Sequence, residues 1–252
     1  MMRVVRRLLV VALLAACALS ALLAVSLPAR GRTLVAWTAP HGRPAGVVLV
    51  LHGGAWRAAG PRTVALMQAR ARSFAAWGWA AAVVDYRAFA DAPGDVVRAY
   101  DAASARYPGL PVCAYGESAG GHLALMLAVR RPLACVIDAA GPVDLSRLGG
   151  TPQADWVRAK ARAAFGDLRD ASPTAHARAI RAAVLAGYAA SDRIVPASQG
   201  RLLRRALPRA RVVELGAGPG PRFVHAAVPD AALRGWWSAV RAQLQRAARP
   251  RT

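Results

Sequence analysis

Short runs of apolar residues alternate along the chain with longer stretches whose apolar positions recur at helical spacing. A run that is apolar throughout, such as 47–51, is typical of a strand buried on both faces of a sheet. The predicted strands are 34–37, 47–51, 79–84, 111–115, 134–139, 183–187 and 211–215, and the predicted helices are 62–76, 95–107, 119–130, 199–205 and 230–246. This alternation predicts an α/β protein with a mostly parallel central sheet and helices on both faces.

The pentapeptide Gly116-Glu117-Ser118-Ala119-Gly120 lies between the predicted strand 111–115 and the predicted helix 119–130. In that position a Gly-x-Ser-x-Gly motif is typical of a nucleophile elbow, in which the chain turns sharply and exposes the serine hydroxyl. Glycines flank the serine because a side chain there would collide with neighbouring backbone. The pentapeptide alone is equally consistent with a glycine-rich turn that carries an incidental serine. Motifs elsewhere in the chain are needed to distinguish the two interpretations.

The strand predicted at 47–51 ends in His52-Gly53-Gly54-Ala55-Trp56. Together with the elbow, this motif resembles the α/β-hydrolase family, in particular its esterase and lipase branch, whose His-Gly-Gly loop follows the third strand of the sheet. The resemblance implies that the backbone N–H groups of Gly53, Gly54 and Ala119 form an oxyanion hole. It also implies the α/β-hydrolase fold and serine hydrolase chemistry that requires no metal and no other cofactor.

A serine hydroxyl needs a general base, which is itself oriented by a carboxylate. The five histidines are His41, His52, His122, His176 and His225. The first two belong to a turn and to the oxyanion loop, and the fourth falls in a polar insert. His122 lies one helical turn after Ser118 and is expected to pack in the core. His225 follows the last predicted strand, and it alone fits the family's chain order of serine, acid and histidine.

The acid is expected in the loop after the strand 183–187. Asp192 lies there, shortly before Val195-Pro196, and this stretch resembles the acid loop of the family. Asp138 and Asp144 are the alternatives because they lie near the end of the preceding strand. Each of these two is also a natural capping or turn residue.

The predicted site residues fall at one edge of the sheet. Ser118, Asp192, His225 and the loop that starts at His52 all follow the carboxyl ends of predicted strands. Ligands of parallel α/β sheets bind at that edge. The sequence therefore predicts a catalytic triad of Ser118, Asp192 and His225.

The segment at about 145–179 interrupts the alternation of strands and helices, with a short helix-like stretch at 156–165. In the α/β-hydrolase family an insert at this point forms a cap over the active site, and a short cap implies an open pocket. Trp156 in this segment and Trp56 beside the oxyanion loop are the candidate substrate-binding residues. Packing against the core is the alternative for both.

Charge and composition narrow the classes of function. The 252 residues include 34 Lys and Arg against 13 Asp and Glu, a formal net charge of +21. Nearly all of the positive charge is arginine, scattered rather than clustered, and the sequence has no zinc-ligand spacing and no RNA-binding motif. We therefore expect no nucleic-acid partner and no metal. The resemblance to the esterase and lipase branch implies a small-molecule ester as the substrate.

The first 29 residues are typical of an export signal, because arginines precede an uncharged apolar stretch at 8–27. That stretch also reaches the length of a membrane span, and Cys17 closes a lipobox-like sequence. The prediction is an exported protein, either secreted or anchored to the outer face of the cytoplasmic membrane, with its catalytic domain at 30–252. Residues 8–27 would also carry any association with the membrane or cell envelope.

Cys113 and Cys135 lie in predicted strands on either side of the elbow helix. An even pair of cysteines in an exported protein suggests a disulfide. Neighbouring strands, however, offer awkward geometry for that bond, and buried thiols are often core residues. The sequence leaves both states open.

The combined prediction is an exported serine carboxylesterase that hydrolyses short- to medium-chain esters through an acyl-enzyme on Ser118. The alternatives are a serine peptidase of the prolyl-oligopeptidase type, an acyltransferase with an acceptor other than water, and a catalytically silent wall-associated binding protein. The peptidases usually carry a large additional domain, and a silent relative need not retain the complete set of Ser118, Asp192 and His225.

Overall fold

The computed structural model describes residues 34–215, 225–226 and 228–247, and the predicted export segment lies outside these ranges. The strands are β1 (Leu34–Thr38), β2 (Val47–Leu51), β3 (Ala80–Asp85), β4 (Val112–Glu117), β5 (Cys135–Ala139), β6 (Ala183–Ala189) and β7 (Arg211–Leu215). The helices are α1 (Pro61–Ala76), α2 (Ala92–Arg106), α3 (Ala119–Arg130), α4 (Pro152–Phe165), α5 (Ser198–Ala206) and α6 (Asp230–Ala247). Short 3₁₀ turns occur at Phe89–Asp91 and Pro173–His176.

The insert between β5 and β6 contains a complete helix, which is longer than the stretch expected at 156–165. Helix α4 begins at Pro152, directly after Thr151, whose side-chain oxygen accepts a hydrogen bond from the N–H of Ala154 at 3.1 Å. A threonine cap followed by proline is a favourable helix start, because proline lacks the N–H that the first turn would leave unpaired. None of the described helices has both the length and the apolar content of a membrane span.

The seven strands that the structure describes form one sheet in the order β1-β3-β2-β4-β5-β6-β7. Strand β1 is antiparallel to β3, and every other neighbouring pair is parallel. The central position belongs to β4, which lies between β2 and β5. The segments that follow β2, β4 and β6 therefore all leave the sheet at the same edge, the carboxyl edge, with β5 lying between β4 and β6.

The sheet is buried on both faces. In β2, Val47, Leu49 and Leu51 contribute to one core cluster and Val48 and Val50 to the other, and all five are at most 1% exposed. Helices α2, α3, α4 and α5 pack on the first cluster, and α1 and α6 pack on the second. Burial on both faces explains why these strands are apolar throughout rather than alternating in polarity.

A disulfide joins β4 to β5. Cys113 and Cys135 are paired in register, and their Cα atoms are 4.6 Å apart, which lies within the range that disulfides adopt. Both side chains belong to the core cluster under α1 and α6. The disulfide that the sequence left open is therefore present. Its two side chains meet because residues in register on neighbouring strands point to the same face of the sheet.

Candidate active site

The chain turns from β4 into α3 at Ser118. The φ and ψ angles of this residue are 53° and −118°, a conformation that a residue other than glycine adopts only where its surroundings hold it. Two backbone hydrogen bonds do so. The Ser118 N–H donates to the carbonyl of Ala139 at 2.8 Å, and the Ser118 carbonyl accepts from the N–H of His122 at 3.1 Å. The turn has the geometry of a nucleophile elbow at the end of the central strand.

Close approach of backbone segments requires the two elbow glycines. A Cβ atom on Gly116 would lie 2.1 Å from the carbonyl oxygen of Gly120, and one on Gly120 would lie 2.3 Å from the carbonyl oxygen of Leu51. Both distances are far below van der Waals contact. The spacing of the motif therefore follows from the packing of α3 against β4 and β2.

Ser118, His225 and Asp192 form a continuous chain of hydrogen bonds. The Ser118 hydroxyl lies 2.8 Å from His225 Nε2, and His225 Nδ1 lies 2.7 Å from Asp192 Oδ2. The second carboxylate oxygen, Asp192 Oδ1, accepts the N–H groups of Ile194 at 2.8 Å and Val195 at 3.0 Å. These two amides orient the carboxylate and leave Oδ2 for the imidazole, which is the arrangement of a serine–histidine–aspartate triad.

The two alternative acids have other partners. Asp138 is fully buried and accepts the Tyr188 hydroxyl at 2.8 Å and the N–H of Gly141 at 2.7 Å. Burial raises the pKa of Asp138 to about 7. Asp144 accepts the Ser146 hydroxyl at 2.6 Å in a local turn. The structure therefore pairs the histidine with Asp192 and not with either alternative.

The loop after β2 passes close to the elbow. A Cβ on Gly53 would lie 3.1 Å from the carbonyl oxygen of Glu117, and Gly54 has a φ of +109° that favours glycine. Tyr86 supports the loop: its hydroxyl donates to the carbonyl of His52 at 2.7 Å, and its ring stacks on the His52 imidazole with centroids 3.9 Å apart. The loop backbone is thus held directly beside the nucleophile.

The three predicted oxyanion donors lie together. Gly53, Gly54 and Ala119 all line the same cavity as Ser118 and His225. Among the described residues, no acceptor is hydrogen-bonded to the N–H groups of these three residues. Free N–H groups beside the nucleophile are what an oxyanion hole requires.

The cavity beside Ser118 has a volume of about 380 Å³. Its apolar walls come from helix α1, through Leu66 and Met67, and from helix α4, through Trp156 and Val157. Leu66 and Trp156 are 50% and 48% exposed, so the cavity opens to solvent between them. Trp156, one of the two predicted substrate-binding residues, lies in the wall of this cavity. Within the described ranges, no group of His, Cys, Asp and Glu side chains is arranged to hold a metal ion.

The prediction that Trp56 binds substrate is wrong. Its side chain is fully buried, and its indole N–H donates to Nδ1 of His122 at 3.0 Å. The ring also packs edge-on against Phe165, with centroids 5.3 Å apart. Positive φ values at Ala55 and Trp56, 50° and 59°, turn the chain so that this side chain enters the core. Trp56 supports the oxyanion loop from behind instead of lining the pocket.

Arg70 on helix α1 is a residue of the site that the sequence reasoning missed. Its guanidinium contacts Glu117, the residue before the nucleophile, together with Val228 and Asp230, which follow His225 in the chain. No local pattern distinguishes this arginine from the others, because all of its partners are distant in sequence.

A serine–histidine–aspartate chain at the carboxyl edge of this sheet defines an α/β-hydrolase with serine hydrolase machinery. Comparison with known families agrees, since the BD-FAE family model matches residues 37–207, more than half of the chain. The protein belongs to the BD-FAE family and is a hydrolase. No curated protein matches the sequence significantly.

Solved structures share this fold. Thermogutta terrifontis esterase 2, in a structure phosphonylated by sarin, is 21% identical over 85% of this chain and 90% of that chain, with a TM-score of 0.68. An acetyl ester-xyloside bifunctional hydrolase from Caldicellulosiruptor lactoaceticus is 13% identical over 88% and 92%, with a TM-score of 0.66. An acylaminoacyl peptidase is 14% identical over 84% of this chain and 39% of that chain, with a TM-score of 0.65.

Proposed function

We propose that the protein is a serine carboxylesterase that hydrolyses short- to medium-chain esters through an acyl-enzyme on Ser118. The observation that carries the proposal is the hydrogen-bonded chain of Ser118, His225 and Asp192. Ser118 and His225 line the same cavity as the residues of the oxyanion loop and the elbow that carry the free N–H groups. Nucleophile, base and oxyanion donors are thus within reach of one bound ester.

Acylation uses these groups in order. The Ser118 oxygen attacks the ester carbonyl carbon while His225 Nε2 takes the hydroxyl proton, and Asp192 stabilises the imidazolium that forms. The N–H groups of Gly53 and Ala119, with that of Gly54, stabilise the oxyanion, and each such donor is typically worth ~3 kcal/mol in the transition state. The imidazolium then gives its proton to the leaving alcohol, and the acyl group remains on Ser118.

Deacylation repeats the same steps with water. His225 Nε2 takes a proton from a water molecule that attacks the acyl carbonyl, and the oxyanion forms again at the same N–H groups. Collapse of the tetrahedral intermediate returns the proton to Ser118 and releases the carboxylic acid. Asp192 keeps its two amide contacts throughout, so the imidazole does not have to reorient between the two halves.

The cavity supports a preference for acyl chains of short to medium length. Its volume of about 380 Å³ and its apolar walls from α1 and α4 suit a small hydrophobic acyl group. Structures of Thermogutta terrifontis esterase 2 hold butyrate and propionate, which agrees with acids of this size for a protein of the same fold. Amide substrates are the alternative suggested by the likeness to an acylaminoacyl peptidase.

Hydrolysis of p-nitrophenyl acetate, butyrate, octanoate and palmitate by the full-length protein tests the proposal, with N-acetyl-alanine p-nitroanilide as the amide. We expect turnover of the first three esters, little of palmitate or the anilide, and none in Ser118→Ala. Faster cleavage of the anilide than of every ester would replace the esterase by a peptidase. Activity that survives in Ser118→Ala would contradict the assignment of the nucleophile.

We also propose that residues 1–29 direct export, as a cleaved signal or as a membrane anchor through residues 8–27. The disulfide between Cys113 and Cys135 supports an oxidising location, because such bonds are rare in reducing cytosol. Fractionation of the tagged full-length chain, with thiol alkylation before lysis, tests this. Protein found in the cytosol with both thiols free would contradict it.

A further inference from the structure

One arginine side chain connects the nucleophile strand to the segment that carries the histidine. Arg70 Nε donates to Glu117 Oε1 at 3.3 Å, Nη2 donates to the carbonyl of Val228 at 2.6 Å, and Nη1 donates to Asp230 Oδ1 at 2.5 Å. The Arg70 side chain is only 11% exposed. All three nitrogens of the guanidinium are therefore engaged, each with a different residue.

The partners of Arg70 lie on both sides of the reacting groups. Glu117 ends β4 and immediately precedes Ser118. Val228 and Asp230 come three and five residues after His225, at the start of α6. A single side chain from α1 thus contacts both the strand that carries the nucleophile and residues that follow the base in the chain.

The Glu117 carboxylate makes the connection rigid. Glu117 is 8% exposed and also accepts a hydrogen bond from the Tyr115 hydroxyl. Burial raises the pKa of Glu117, while Tyr115, Arg70 and the nearby His225 act in the opposite direction. A buried carboxylate of this kind depends strongly on its cation, since removal of one member leaves the other uncompensated.

The imidazole itself has few other attachments. Among the described residues, the side chain of His225 is hydrogen-bonded only to Ser118 and Asp192. The Val228 N–H donates to the carbonyl of Ala226 at 3.0 Å. Catalytic groups need to be held to about 0.5 Å, which neighbouring contacts have to provide. The Val228 carbonyl, bound to Arg70, is such a contact.

We propose that Arg70 is a positioning residue, which links Val228 and Asp230 to Glu117 and thereby keeps His225 Nε2 within hydrogen-bonding distance of the Ser118 hydroxyl. It acts through the backbone of Val228 and does not contact the substrate. The inference rests on the proposed function, because it assumes that His225 activates Ser118.

The test measures activation of Ser118 without an ester substrate. A fluorophosphonate probe labels an activated serine, so its rate constant for labelling is determined for the wild type, Arg70→Ala, Arg70→Lys and Asp230→Asn, with Ser118→Ala as the blank. Arg72→Ala is the matched control, since Arg72 is an exposed arginine on the same helix. Thermal unfolding is recorded for each variant, and kcat and KM for p-nitrophenyl butyrate are expressed per labelled site.

We expect Arg70→Ala to lower the labelling rate constant and kcat per labelled site by about 10- to 100-fold, because a displacement of about 1 Å has effects of this size. KM should change by less than about threefold, since the substrate does not meet Arg70. Arg70→Lys should lower the labelling rate constant and kcat less than Arg70→Ala does, and Asp230→Asn should lower them less again. Arg72→Ala should lower neither. Guanidinium ion at low millimolar concentration should restore part of the activity of Arg70→Ala.

Each other outcome overturns a specific statement. An unlabelled wild type would remove the proposed function, and the positioning role with it. A labelled wild type with unchanged rate constants in the folded Arg70 variants would remove the positioning role alone. If Arg70→Ala does not fold, the rate constants of Arg70→Lys and Asp230→Asn test the proposal instead. Asp230 is 75% exposed, so its replacement should leave the protein folded. Wild-type rate constants in both variants would overturn the proposal. A lower melting temperature with full kcat per labelled site would make Arg70 structural only.

Discussion

Two pairs of histidine and tryptophan lie on either side of the nucleophile elbow, and their surroundings differ. Behind the elbow, His122 and Trp56 are at most 1% exposed and bonded to each other. On the cavity side, His225 and Trp156 both line the space beside the nucleophile, and Trp156 is half-exposed. The same two residue types thus serve as core in one region and as site in the other.

The difference shows what turns an imidazole into a base. His122 Nδ1 accepts the indole N–H of Trp56, and His122 Nε2 donates to the carbonyl of Ala171 at 2.7 Å. Burial lowers the pKa of His122 to about 4, so that it stays neutral, and no carboxylate of the described residues is paired with it. His225 faces Asp192 instead. Proximity in sequence to the nucleophile is therefore a poor guide, because His122, four residues from Ser118, is buried in the core, while His225, 107 residues away, is hydrogen-bonded to the Ser118 hydroxyl.

Replacement of each histidine gives the largest contrast. His225→Ala should lower kcat/KM for p-nitrophenyl butyrate by about 10⁴-fold or more, since loss of the base disables the triad as a unit. His122→Ala should keep kcat/KM within about tenfold but lower the free energy of unfolding by about 2–4 kcal/mol, because it leaves a cavity and an unpaired indole N–H. Ester kinetics and urea unfolding of both variants measure this, and equal kinetic losses would remove the distinction between the two regions.

The buried carboxylates near the two regions give the next contrast. Asp192→Asn should lower kcat by about 10³- to 10⁴-fold with little loss of stability, because an amide cannot hold the imidazole in the required tautomer. Asp138→Asn should leave kcat within a few-fold and cost about 1–2 kcal/mol of stability, since the asparagine amide offers only one acceptor oxygen to the Tyr188 hydroxyl and the Gly141 N–H. Steady-state kinetics with denaturation curves distinguish the two. A larger kinetic loss in Asp138→Asn would reopen the choice of acid.

A pH dependence of stability sharpens the description of His122. Burial lowers its pKa from 6.5 to about 4, so between these values the unfolded chain binds a proton that the native protein does not. The stability that neutral His122 contributes is therefore fully present above pH 6.5 and is lost as the pH falls towards 4, by about 3 kcal/mol in all. Asp138 has a raised pKa, so the native state binds its proton at a higher pH than the unfolded chain does. Protonation of Asp138 therefore increases the stability of the native state as the pH falls, which is the opposite of the effect of His122.

The variant His122→Gln isolates this effect, since glutamine does not titrate and all other groups cancel in the difference. We expect the stability deficit of the variant, measured by urea unfolding, to be largest at pH 7 and to shrink by about 3 kcal/mol near pH 4. A deficit that does not change with pH would mean that His122 titrates equally in the folded and unfolded states.

Much of the site follows from local sequence because local backbone constraints create it. The elbow needs glycine at both Gly116 and Gly120, and the buried strands are continuous apolar runs, so the ends of the strands and the motifs that follow them are legible in the chain. The serine–acid–histidine chain order of the α/β-hydrolase family, which the motifs resemble, then selects His225 as the base. The same reasoning places Trp156 on the cap, where the structure finds it in the cavity wall.

Other features depend on contacts that no local pattern encodes. The sequence places Trp56 beside the oxyanion loop, but the direction of its side chain is set by the left-handed backbone at Ala55 and Trp56 itself. Arg70 is one of 34 basic residues, and its partners Glu117 and Asp230 are 47 and 160 residues away. These assignments require the packing of α1 against the sheet, which only the tertiary structure supplies.

The two tryptophans provide the smallest and most selective contrast. Trp156→Ala removes an apolar wall of the cavity, so KM for p-nitrophenyl octanoate should rise about fivefold, which corresponds to about 1 kcal/mol of lost contact, while KM for the acetate ester stays unchanged. Trp56→Phe should lower the melting temperature, because it leaves His122 without its indole donor, and should keep the ratio of octanoate to acetate kcat/KM at the wild-type value. The chain-length profiles of both variants, measured at one pH with the wild type alongside, test this directly. A profile that shifts in Trp56→Phe as far as in Trp156→Ala would mean that the buried pair also shapes the pocket, and the separation of the two regions would then fail.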